Sequence, residues 1–223
     1  MKMWIVLEKR PRIRFIGHLD MLRTMQRALR RSGLPVRYSN GFNPHMLLNF
    51  AAPLSLGMPG RREVVEVALA EDVSEREFTE RLTQSLPPEL RCVRCRAVDD
   101  LHPAPMALLR AAGYHFELTE GEDAAGFVRF LPEYWALPEI PAIRKTKTGE
   151  KPCDLKPLIH VLQADGAYAF DAVLALCEAG TCKPDLLLTS MAERLGISKP
   201  EALVTRTQLF AERDGKLIPL EEA

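Results

Sequence analysis

The strongest constraint on this chain is its punctuation: amphipathic helical stretches closed by glycine or proline, each set between short apolar runs of period two. Residues 18–32 follow Gly17 and stop at Gly33 and Pro35. Ser74 opens a second helix with Glu77 three residues on, a capping box, and Pro87-Pro88 closes it. Around them, residues 3–8 and 12–16 predict one strand interrupted at Pro11, or two short ones, with Arg12 and Arg14 facing out between Ile13 and Phe15. Residues 62–69 set Val65, Val67 and Leu69 against Glu66, a half-buried strand, and 90–97 form another. The expected order is β-α-β-β-α-β, the split βαβ pattern of a ferredoxin-like unit.

The second half has the same grammar. Strands are expected over 114–119, 140–146, 167–176 and 203–210, with a short helix over 122–131. Residues 184–195 read as a helix from Pro184 to the stop at Gly196, with Leu187, Leu188, Met191 and Leu195 on one stripe. Asp214-Gly215 predicts a turn into a terminal edge. The reading is an α+β fold of two tandem ferredoxin-like halves, 1–98 and 113–223, joined by a linker at 99–112.

Charge divides the chain more sharply than its composition does. The formal net charge is zero, yet residues 1–62 carry +10 and the remainder −10. A basic first quarter backed by an acidic body fits a nucleic-acid-facing surface. In the 18–32 helix, Leu19, Leu22, Met25 and Leu29 are the expected buried stripe. Arg23, Arg27 and Arg30 or Arg31 recur on another face. Five cysteines, an odd number, suit a reducing cytoplasm. The cationic first residues do not read as a secretory leader, and no apolar run reaches the ~18 residues of a membrane span.

Three segments could carry chemistry. Gly17-His18-Leu19-Asp20 places an imidazole, a carboxylate and free backbone N–H groups at a helix start, a natural anion site; the alternative is that His18 and Asp20 only stabilise the first turn. Tyr38 to His45 offers two aromatics (Tyr38 and Phe42), the amide of Asn43 and the imidazole of His45, a set able to stack on unpaired bases or simply to anchor the loop. Residues 144–157 form a second basic loop with five cations, including Lys145, Lys147 and Lys151, against two acids. Cys92-Val93-Arg94-Cys95 has zinc-like spacing, but on a regular strand residues three apart face opposite ways, so no metal is expected. No glycine-rich phosphate loop, serine elbow or iron–sulfur cysteine triplet is present.

Arg14-Phe15-Ile16-Gly17-His18-Leu19-Asp20, the Arg27-Ala28-Leu29-Arg30-Arg31 helix, Gly33-Leu34-Pro35-Val36 and Tyr38-Ser39-Asn40-Gly41-Phe42-Asn43-Pro44-His45 resemble the radical SAM-linked protein family. This is a bacterial family found alone or fused behind a radical SAM domain. Lys147-Thr148-Gly149, Asp154-Leu155-Lys156-Pro157 and Arg206-Thr207 also look like its pattern. Where members often have Pro-Lys after the loop histidine, this chain has Met46-Leu47, one cation fewer. The resemblance implies a partnership with a radical SAM enzyme and RNA modification. The chain lacks the cysteines to hold a cluster, so any radical chemistry belongs to the partner and no cofactor is expected here.

The leading expectation is therefore a non-catalytic, cytoplasmic protein that binds RNA (tRNA or rRNA) or presents it to a radical SAM enzyme. Its contact residues would be Arg12, Arg14, Arg23, Arg27, Arg30, Arg31, Tyr38, Phe42, Asn43, His45, Lys145, Lys147 and Lys151. The alternatives are a metal-independent endoribonuclease using His18 and His45, a pseudouridine synthase with Asp20 as nucleophile, which lacks the Arg-Thr-Asp setting of those enzymes, and an interaction module whose basic face docks an acidic protein.

Overall fold

The computed structural model describes residues 1–146 and 149–223, with the backbone alone for Lys145 and Thr146. The chain is mixed α+β with strands pairing mostly antiparallel. It divides into two compact units, Met1–Leu109 with Gln208–Ala223, and Arg110–Thr207.

In the first unit β1 (Lys2–Lys9) leads through a one-turn 3-10 helix, Pro11–Ile13, into α1 (His18–Ser32), followed by β2 (Leu48–Phe50), β3 (Gly60–Ala68), α2 (Glu75–Ser85) and β4 (Leu90–Val98). The sheet order is β2–β3–β1–β4, every neighbour antiparallel. Met3, Ile5 and Leu7 of β1, with Val65 and Val67 of β3, meet Met21, Met25, Ala28 and Leu29 of α1 and Phe78 and Leu82 of α2 in one core. Trp4, of opposite parity on β1, is fully buried on the other face, where His102 meets it edge-on at 4.8 Å.

Several local expectations change here. Residues 12–16 are not a strand. Pro11, with its fixed φ and no N–H to donate, starts a 3-10 turn. The Lys9 ammonium, almost wholly buried, then donates to the carbonyls of Arg14 (3.0 Å) and Ile16 (2.9 Å) and folds the segment back. Phe15 is consequently exposed. Along α1 the buried positions are 21, 25, 28 and 29, so Leu19 lies 65% exposed instead of in the stripe. Glu66 is buried, accepting a hydrogen bond from Trp4 Nε1 at 2.9 Å, because β3 is covered on both faces. Only half of the expected capping box forms. Ser74 Oγ accepts from Glu77 N at 3.2 Å, while the Glu77 carboxylate turns to Arg81 at 2.8 Å.

The second unit contains most of β5 (Leu109–Leu118), the short helices α4 (Glu122–Arg129) and α5 (Leu131–Ala136), and a hairpin of β6 (Pro141–Thr146) and β7 (Gly149–Asp154). β8 (Ile159–Ala164), β9 (Ala169–Cys177), β10 (Gly180–Thr181) and α6 (Pro184–Leu195) follow. β8 and β5 flank β9, both antiparallel. Phe116 and Phe170 stack at 4.3 Å in its core. β7, β8 and β10 were not expected, so this unit is not a plain copy of the first. α6 has the predicted limits: Pro184 opens it and Gly196, at φ 66°, ends it in the left-handed region where a side chain would be strained.

The stretch expected as a linker is largely engaged within the first unit. Lys2 Nζ donates to His102 O at 2.9 Å, and Asp100 pairs with the N-terminal ammonium and Arg37. A single-turn helix, α3 (Pro105–Leu108), follows. The last residues return as well: β11 (Ala202–Arg213) turns at Asp214-Gly215 into β12 (Lys216–Pro219). Glu221, 2% exposed, accepts from Arg62 Nε at 2.8 Å and from Gln208 Nε2 at 2.7 Å. A buried carboxylate needs such partners, and they tie the C-terminal turn to the first unit.

Candidate nucleic-acid interface

α1 sets the arginines. With its apolar side inward, Arg23, Arg27, Arg30 and Arg31 are all exposed on the remaining surface. Their availability differs. Arg23 pairs with Asp20 at 3.0 Å, and Arg31 donates to Ser85 O at 2.6 Å. Arg12, Arg27 and Arg30 have no side-chain partner among the described residues, so their guanidinium forks are open to phosphate. Arg14 lies with its guanidinium 4.5 Å from the Phe15 ring centre, a cation–π contact on an exposed aromatic.

The loop after α1 is a braced hairpin. Val36 bridges Leu69 and Tyr38 bridges Met46. Ser39 N donates to His45 O at 2.8 Å, Ser39 Oγ accepts from His45 N at 3.0 Å, and the same hydroxyl meets His45 Nδ1 at 2.8 Å. Gly41, at φ 116°, turns the tip in a conformation that a side chain would resist. Phe42 follows it and is fully exposed, Asn43 and His45 are exposed, and Tyr38 is partly so. The anchoring role therefore does not fit Phe42, whose ring touches no core. A hairpin braced in this way holds out a whole aromatic ring with both faces open to a stacking partner.

Phe42→Ala should leave stability within about 0.5 kcal/mol, since it removes no buried contact. If the ring stacks on a base, RNA affinity should fall by about 1–3 kcal/mol with no change in salt slope. Thermal melts and anisotropy titrations of the one variant read both.

Sequence reasoning missed Phe15, Leu19 and Leu56, which are large, apolar and each about two-thirds exposed. Gly57 N donates to Arg14 O at 2.9 Å, which brings the 56–57 turn beside Phe15. The available signal was the break at Pro11, which stops the strand that would have buried Phe15.

The candidate catalytic residues are held apart in role. His18 stands edge-on to Phe50 at 5.4 Å and helps line a cavity of about 20 Å³ with Lys9 and Glu63. His45 is occupied by Ser39, and Asp20 by Arg23. In the second basic loop, Arg144 donates to Thr181 O at 2.6 Å and Lys151 is exposed. The side chains of Lys145 and Lys147 lie outside the described residues. A cleft of about 500 Å³ with Arg144, Lys183 and Lys199 on its walls lies in this unit, but Lys199 is already paired with Asp185.

Two groupings concern metals. His115, Asp165 and Asp171 present one ligand atom each within 4.8 Å of one another. His115 and Asp171 are direct cross-strand partners on β5 and β9, with Nδ1 and Oδ1 2.8 Å apart. His115 lies 50 or more positions from either aspartate in the chain, so only strand register could reveal the grouping. The second is Cys92 and Cys95, whose sulfurs are 3.3 Å apart. The expectation that they face opposite ways is wrong. A bulge in β4 pairs Arg94 with Val6 and Cys92 with Leu7, and the extra residue restores both thiols to one side.

Residues 2–184 match the model of the DUF2344 family, described as an uncharacterized protein conserved in bacteria. The chain belongs to that family. The matched span includes the whole of α1, the braced hairpin and β4, so the arginines, the exposed aromatic tip and the cysteine pair all fall within the region the family defines. No curated protein matches the chain. No helix among the described residues is long and apolar enough to cross a membrane.

Proposed function

We propose that this member of the family binds RNA without catalysing a reaction on it, and presents that RNA to a radical SAM modification enzyme. The observation that carries the reading is the exposed Phe42 ring at the tip of a hairpin braced by Ser39 and His45. It belongs to the same unit as the unpartnered arginines of α1. Stacking surfaces with nearby cations are what single-stranded bases and phosphates require, whereas a plain acidic-protein partner would need no protruding aromatic. The β-α-β-β-α-β order of the first unit, and its recurrence in the second as β5, α4–α5, β8, β9, α6 and β11 once the β6–β7 hairpin and β10 are set aside, support a tandem ferredoxin-like reading. The radical SAM partner rests on the resemblance of the 14–20 and 38–45 segments to the radical SAM-linked family.

The test is an anisotropy titration of the full chain with labelled single-stranded RNA across about 50 to about 200 mM salt. A log–log slope of roughly −0.7 for each phosphate neutralised is expected, between about −2 and −4 for three to five contacts. An absence of binding at the lowest salt removes this reading and leaves the acidic-protein partner. RNA shortened during the incubation, with the shortening lost in His18→Ala or His45→Ala, would establish the endoribonuclease instead.

A further inference from the structure

Cys92 and Cys95 are brought together by a defect in strand pairing rather than by a turn. β4 runs regularly against β1 from Val98 to Arg94, then skips Val93 so that Cys92 faces Leu7. Cys95 is buried in the core of the first unit, 4% exposed, and Cys92 packs half-buried against it. The sulfurs, 3.3 Å apart, share a hydrogen bond. The Cys95 thiol is drawn below its ordinary value chiefly by the hydrogen bond from Cys92, against its burial. Cys92 is pushed up by the same shared bond and by burial. The pair therefore gives up its first proton far more readily than its second, a property of dithiols held in contact.

The other cysteines lack these features. Cys182 is buried and pushed up to about 12 by desolvation, while Cys153 and Cys177 each meet one backbone carbonyl. A closed zinc site needs four ligands, and among the described residues no group of three His, Cys, Asp or Glu ligands contains either Cys92 or Cys95.

We propose that Cys92 and Cys95 form a redox-active dithiol, oxidised to an intramolecular disulfide by a small-molecule disulfide of the glutathione type. The shared proton can pass along the S···S contact, which places negative charge on half-buried Cys92, the sulfur an outside molecule reaches. The Cys92 thiolate attacks one sulfur of oxidised glutathione, breaking that S–S bond and releasing one glutathione thiolate. The released thiolate takes the remaining proton. Cys95 then attacks the Cys92 sulfur of the mixed disulfide and expels the second glutathione thiolate, which is protonated from solvent. Two electrons leave the protein, one oxidised glutathione becomes two reduced ones, and the sulfurs close to about 2.05 Å. The bond would fix the bulge of β4.

The experiment uses the full chain equilibrated with oxidised and reduced glutathione over a range of ratios, acid-quenched, unfolded and tagged with maleimide for mass spectrometry. Two of the five thiols should disappear together, with loss of two hydrogens and no retained glutathione, and the new bond should map to Cys92 and Cys95. Cys182→Ser should behave as wild type. Cys95→Ser should stop at a glutathione adduct on Cys92, the trapped first step, and far-UV circular dichroism identifies any variant that fails to fold. Wild type that keeps all five thiols at the most oxidising ratio, joins a different pair, or accumulates the adduct without resolving it overturns the proposal.

Discussion

Changing Arg27 and Arg30 together to Glu should weaken single-stranded RNA binding on the order of a hundredfold while leaving the melting temperature nearly unchanged. Both side chains are exposed one helical turn apart on α1, and neither holds a partner among the described residues, so the folded state loses no contact. The binding loss has two sources. Two phosphate contacts vanish, which flattens the log–log salt slope by about 1.4, and two carboxylates then face the backbone they replaced. Arg31→Glu is the informative contrast. Its guanidinium is spent on Ser85 O, so that change should cost stability at the end of α2 and alter affinity less. A double variant that binds as tightly as wild type with an unchanged slope would remove α1 from the interface.

The limits of sequence reading are clearest on α1 itself. Gly17 and Gly33 bracket the helix, and its bounds are those the glycines dictate. Its inward face was misjudged because two stripes overlap. Leu19, Leu22, Met25 and Leu29 satisfy helical spacing, and so do Met21, Met25, Ala28 and Leu29. Periodicity alone cannot separate two templates sharing Met25 and Leu29. The neighbouring sheet decides, and it takes the second. The arginines were legible all the same, since either choice leaves Arg23, Arg27 and Arg30 outward.

Other features depended on events that no local pattern records. The face that Cys92 presents is set by one skipped residue in the β1–β4 register, and Cys-x-x-Cys reads identically with or without it. Phe42 was balanced between anchor and platform. The bridges at Val36 and Tyr38, with the turn between them, leave its ring fully exposed rather than anchored in the core. The 203–210 strand and its Asp214-Gly215 turn were expected, but not the return of its end to the first unit, because the attraction of Glu221 to Arg62 joins positions 159 residues apart. Local grammar thus gave helix limits and charge placement. Register, bulges and long-range ion pairs set which side chains meet.

Trp4→Ala should be the most damaging single change in the first unit, costing about 3–5 kcal/mol from lost burial alone. Trp4 is the largest fully buried side chain of the chain and sits in the middle of β1, the strand paired on both edges by β3 and β4. A second cost follows from Glu66, a nearly buried carboxylate that accepts from the indole Nε1 at 2.9 Å and has Lys2 Nζ 3.7 Å away. Without the indole it keeps the ammonium but loses its closest donor, roughly another 1–3 kcal/mol where water cannot replace it. Trp4→Phe separates the terms: it retains much of the apolar volume and removes the N–H. Trp4→Phe combined with Glu66→Gln then removes the buried charge as well, and should recover part of what Trp4→Phe alone lost. Urea unfolding of the three variants measures each step. Should Trp4→Phe unfold at the wild-type urea concentration, the indole–Glu66 bond contributes nothing to the stability of this strand.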